Sequence, residues 1–94
     1  MNIELYEIYA EIAKISDGLM EIKIEYTYDR LMGVMGACHP SEALDMILTK
    51  IDWDSTSPNT DMLSEAHDEL VEFNKSFKIK EIKAPISRLK NYLS

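Results

Sequence analysis

The chain has 94 residues, 46% of them hydrophobic and 29% charged, with three Gly, three Pro and a formal net charge of −7. That is enough for a single domain spanning residues 1–94, and it is too apolar for disorder and too poor in breakers for a fibrous or low-complexity protein. One cysteine, Cys38, excludes an internal disulfide framework and a Cys-rich zinc pattern, and the absence of an apolar run of roughly 18 residues or of a basic leader argues for a cytoplasmic protein with no membrane association.

In the first third, Leu5, Ile8, Ile12, Ile15, Leu19, Ile22 and Tyr26 recur at three- and four-residue steps, one stripe of a helix, beside Glu4, Glu7, Glu11, Glu21 and Glu25. An unbroken helix from residue 3 to 35 would be about 50 Å long, against about 32 Å for a compact chain of this size. Either the helix breaks or it makes a dimer. Asp17-Gly18 is a turn dipeptide, so a break is expected near Gly18. Beyond it, Met20, Ile24, Tyr28, Leu31 and Met35 form a helical stripe, while Ile22, Ile24, Tyr26 and Tyr28 also alternate as in a strand. Helix is favoured because its pattern runs longer. The small residues Gly33, Gly36 and Ala37 read as close packing.

Pro40 stops the first helical region by His39 and starts another, with Ser41 or Pro40 at its N-terminus and Ala43, Leu44, Ile47, Leu48 and Ile51 as its buried stripe. Residues 53–60 are polar and form the clearest loop. From Asp61 a third helix carries Met62, Leu63, Ala66, Leu70, Phe73 and Phe77 at helical spacing as its apolar stripe, with Asp61, Glu65, Asp68, Glu69 and Glu72 on the other side. Ile86, Leu89 and Leu93 mark a terminal helix placed from Pro85 onward, leaving residues 76–83 as an extended arm. The expected fold is all-α, a compact bundle of four to five helices with breaks near Gly18, Pro40, 55–60 and 75–85. The alternative is α+β, with a two-stranded ribbon from residues 20–28 and 76–83.

Charge is unevenly distributed. Residues 1–74 hold 16 acids against Lys14, Lys23, Arg30 and Lys50, a net of −12, whereas residues 75–94 hold six bases against Glu81, a net of +5. Two expectations follow: the basic end packs across the acidic body, or the two signs mark separate surfaces.

Reactive constellations are weak. Cys38 and His39 are adjacent, His67 stands alone on the third helix, and no Cys-x-x-Cys or His-x-x-x-His spacing is present. Gly33 and Gly36 precede no Lys-Ser or Lys-Thr, so no phosphate loop is expected. Carboxylate pairs one turn apart are abundant, as on any solvated helix face. No catalytic, metal or cofactor site is expected, and the chain reads as a non-enzyme. Trp53, flanked by Asp52 and Asp54, is either a plug closing the core under its loop or an exposed anchor in a negative rim. Tyr6, Tyr9, Tyr26 and Tyr28 add amphipathic contact area.

The functional expectation is a small acidic binding protein that inhibits a basic protein partner, such as a nuclease, toxin or nucleic-acid-handling defence complex. Immunity proteins and phage antagonists have this size and charge, though no residues are matched to them. Its partner-binding residues would be Glu4, Glu7, Glu11, Glu21, Glu25, Asp52, Trp53 and Asp54. A net charge of −7 disfavours direct nucleic-acid binding. The alternative is a helical structural or adaptor protein that self-associates as a homo-oligomer through the long first stripe.

Overall fold

The computed structural model describes residues 2–21, 39–53 and 59–94, and there the chain forms four α-helices, a short 3-10 turn and no strand. Asn2 starts the first: its Oδ1 accepts the Leu5 amide at 3.1 Å and its carbonyl accepts the Tyr6 amide at 3.0 Å. Helix α1 then runs Ile3–Glu21, straight through the break expected at Gly18. Glycine in a helix costs about 1 kcal/mol relative to alanine, whereas burying a leucine side chain contributes roughly 1.5–3 kcal/mol. Continuing the helix seats Leu19, 6% exposed, in the core, so the helix prevails.

Helix α2, Pro40–Leu48, begins as its proline requires, with Pro40 at the first helical position. The cap is His39 and not Ser41. Its backbone is extended, and its Nδ1 accepts the Ser41 amide at 3.1 Å and lies 2.8 Å from Ser41 Oγ. Helix α3, Thr60–Phe77, is capped by Asn59, whose Oδ1 accepts the amides of Asp61 at 2.9 Å and Met62 at 3.2 Å.

The extended arm expected at residues 76–83 is absent. Residues 76 and 77 finish α3, and Lys78 turns the corner in the left-handed region at φ 52°. The corner is held from inside α3, where the Asn74 carbonyl accepts the Lys78 amide at 2.8 Å and its Oδ1 accepts the Ile79 amide at 2.7 Å. A 3-10 turn, Lys80–Ile82, leads directly into helix α4, Lys83–Leu93. That places Pro85 in the first turn of α4, two residues after its start, where an amide hydrogen would have no helical acceptor to lose. The ribbon is thereby removed on this side. On the other, residues 20 and 21 are helical and 22–28 lie outside the described residues.

The helices close a ring: α1 packs on α2, α2 on α3, α3 on α4 and α4 back on α1. Pairings between Asn2 and Tyr92 and between Glu7, Glu11 and Arg88 run in opposite chain directions, so α1 and α4 are antiparallel. The same holds for α1 and α2, where Ser16 meets Ser41 and Asp45 while Tyr9 meets Trp53. Inside lie Leu5, Ile8, Ile12 and Leu19 of α1 with the stripes expected for α2 and α3, save Met62, which stays 44% exposed in the first turn of α3, and they are joined by Ile79, Ile82 and Leu89. Ile15 is only partly buried; Ser16 takes the deeper position at 1% exposure. From Leu5 to Leu19 the stripe that suggested self-association is thus covered by the protein's own helices. Its continuation at Ile22 and Tyr26, and the segment 32–37, lie outside the described residues. No helix among the described residues is long and apolar enough to cross a membrane.

Candidate protein-binding surface

Helical geometry gives α1 two flanks beside its buried stripe. Successive residues turn about 100°, which puts Tyr6, Tyr9, Ala13 and Asp17 on the flank toward α2 and Glu4, Glu7 and Glu11 on the flank toward α4. Glu4, Glu7 and Glu11 therefore share one flank, and Asp52 and Trp53 stand beside the other.

On the α4 flank, Arg88 reaches across to α1 with both terminal nitrogens, Nη1 to Glu11 Oε2 and Nη2 to Glu7 Oε2, each at 3.1 Å. Glu7 and Glu11 are consequently engaged within the molecule, while Glu4 is exposed. This is the packing of basic end on acidic body anticipated from the sequence, realised through one arginine. Lys75 pairs within its own helix with Glu72 at 2.9 Å. Among the described residues Lys78, Lys80, Lys83 and Lys90 are exposed and form no ion pair.

On the α2 flank the decisive residue is Trp53. It is 7% exposed, its Nε1 donates to the Leu48 carbonyl at 2.9 Å, and its ring lies 5.5 Å from that of Tyr9 at 52°. Leu48 ends α2, so its carbonyl lacks a helical partner and the indole supplies one. Trp53 is the plug of the two expectations; as an exposed anchor for a partner it is corrected, because the ring is already spent on closing the core. Ser16 ties α1 to the start of α2 nearby, its Oγ 2.7 Å from Asp45 Oδ1 and 3.2 Å from the Ser41 carbonyl. Lys50, just past α2, pairs with Glu69 of α3.

These contacts leave a groove between α1 and the end of α2. One part, about 500 Å³, is lined by Tyr9, Ala13, Asp17, Asp45, Leu48, Thr49, Ile51 and Trp53. The second, about 300 Å³, shares Tyr9, Ile51 and Trp53 and adds Tyr6 and Asp52. Aromatic and aliphatic side chains underlie both parts, the rim carries the exposed carboxylates of Asp17, Asp45 and Asp52, and among the described residues no basic side chain lines either part. Tyr6 and Tyr9 stack with centroids 5.9 Å apart at 25°.

Of the residues expected from sequence, Asp52 and Trp53, with Tyr6 and Tyr9 of the expected contact area, line this groove among the described residues. Glu4, Glu7 and Glu11 sit on the opposite flank; Glu21 is the last residue of α1, and Glu25 and Asp54 lie outside the described residues. Asp17 and Asp45 were not singled out, since only the register of α1 against α2 brings them together. Among the described residues no group of His, Cys, Asp and Glu is placed to hold a metal ion. His67 lies 3.2 Å from Asp68, and Cys38 lies outside the described residues. No family model, no curated protein and no solved structure matches the chain.

Proposed function

We propose that this is a non-enzymatic, cytoplasmic binding protein that inhibits a basic protein partner by laying its acidic groove over the partner's cationic surface. The observation that carries this reading is the groove itself: aromatic and aliphatic side chains under three carboxylates, with no cation among the described lining residues. Carboxylates so placed compete for the Lys and Arg groups that would otherwise hold phosphates, and opposite charge accelerates encounter. A protein that handles nucleic acid is the partner class that offers such groups. A single thiol suits a reducing compartment.

The groove displaces Glu4, Glu7 and Glu11 as the lead surface, because reversing Glu7 or Glu11 would first break their contact with Arg88. The test is affinity capture of basic host proteins at low and raised salt, using the wild type, an Asp17→Lys/Asp52→Lys variant, and a Glu65→Lys/Asp68→Lys control with the same change of net charge on α3. The expected result is a basic partner held at low salt, lost with the groove variant and retained by the control. Equal retention by all three proteins, or no basic protein retained at any salt, refutes the reading.

A further inference from the structure

We infer that the hollow at the Tyr6 end of the groove recognises an arginine side chain of the partner, an inference that rests on the acidic-groove function proposed above. The hollow is formed by Tyr6, Tyr9, Ile51, Asp52 and Trp53. Tyr6 is 43% exposed and stacked on Tyr9, and Tyr9 in turn abuts Trp53. Three rings therefore follow one another along one wall, and Asp52 stands on the rim beside them.

Ring faces and a carboxylate are both negative, so an anion is repelled. A purely apolar group would strip water from the rim carboxylate without replacing its hydrogen bonds. The complementary group is a cation with a flat face. A guanidinium is weakly hydrated, stacks on an aromatic face, and keeps edge N–H donors free for a carboxylate in the same pose. A lysine ammonium is compact and strongly hydrated and meets the two requirements less well.

The same chemistry argues for a partner over a second copy of this chain. The exposed cations without an ion pair among the described residues are lysines, and the one arginine there, Arg88, is held by Glu7 and Glu11.

The experiment uses three blocked amphipathic peptides of one sequence, carrying arginine, lysine or glutamate at the charged positions. They are titrated into the full chain by calorimetry and by fluorescence of Trp53, the sole tryptophan. A cation–π contact with a rim ion pair leads to about tenfold tighter binding of the arginine peptide than of the lysine peptide. No binding of the glutamate peptide is expected. Tyr6→Ala and Asp52→Asn, both at exposed positions, bring that ratio to within about twofold, whereas a Glu65→Gln control preserves it. Salt-sensitive binding of the arginine and lysine peptides with equal affinity overturns arginine recognition and leaves the acidic-groove function standing. A preference that survives both variants, or an arginine peptide that does not bind, also overturns it.

Discussion

Replacing Trp53 tests the junction on which both the core and the groove depend. The indole is 93% removed from solvent, given its 7% exposure, and its N–H caps the Leu48 carbonyl. A buried aromatic side chain covers about 150–250 Å², which at roughly 25 cal/mol per Å² is about 4–6 kcal/mol of transfer free energy. Trp53→Ala is therefore expected to cost about 4 kcal/mol, a large fraction of the roughly 5–15 kcal/mol that holds a typical domain together. Trp53→Phe retains most of the ring area. It loses about 1 kcal/mol for the hydrogen bond and a further ~1 kcal/mol for the missing ring atoms, about 2 kcal/mol together. The Leu48 carbonyl is not wholly orphaned in either variant, because the Ile51 amide also approaches it, at 3.4 Å. Urea unfolding followed by far-ultraviolet circular dichroism measures both changes without needing the indole as the probe. In the wild type, tryptophan emission should be blue-shifted and shielded from iodide. Costs below about 1 kcal/mol for both variants would refute the burial argument, since surface substitutions fall within about half that value. Equal costs for Phe and Ala would refute the role of the ring.

Gly18→Ala is expected to stabilise by about 0.5–1 kcal/mol, since the helix continues through this position and an added Cβ meets nothing within 4 Å; a raised melting temperature in circular dichroism checks it. Lys78→Gly relieves a left-handed corner held by a residue with a Cβ and should stabilise by about 0.5–1 kcal/mol in urea unfolding. Arg88→Met removes the fork onto Glu7 and Glu11 at a side chain 40% exposed. The expected loss is about 0.5–1 kcal/mol at low salt, shrinking as salt screens the pair, and a double-mutant cycle with Glu11→Gln isolates the coupling.

The buried stripes of α1, α2 and α3 were legible because they repeat at helical spacing, and Pro40 marked a helix start that steric rules leave little room to avoid. Gly18 was misread because a local turn preference of about 1 kcal/mol was weighed without the core contact of Leu19 that outweighs it. The corner at Lys78 was hidden for the opposite reason. No glycine announces it; a lysine occupies the left-handed position, and Asn74, four residues earlier, supplies the stabilising acceptors. Ser16 was invisible as a core residue because its hydroxyl becomes compatible with burial only when Asp45 and the Ser41 carbonyl face it. The candidate site was legible as chemistry and not as place. Acids and tyrosines of the first third were recognised as contact surface, but periodicity cannot reveal that α4 occupies one flank of α1 with Arg88 while α2 leaves the other as a groove.

Asn2 Nδ2 donates to the Tyr92 hydroxyl at 2.9 Å, across 90 positions of sequence. The start of the first helix and the finish of the last thus share one edge of the molecule. A short peptide linker joining residue 94 to residue 2 would need to span little space, so a cyclised backbone, or a permuted chain opened between α2 and α3, should retain this architecture.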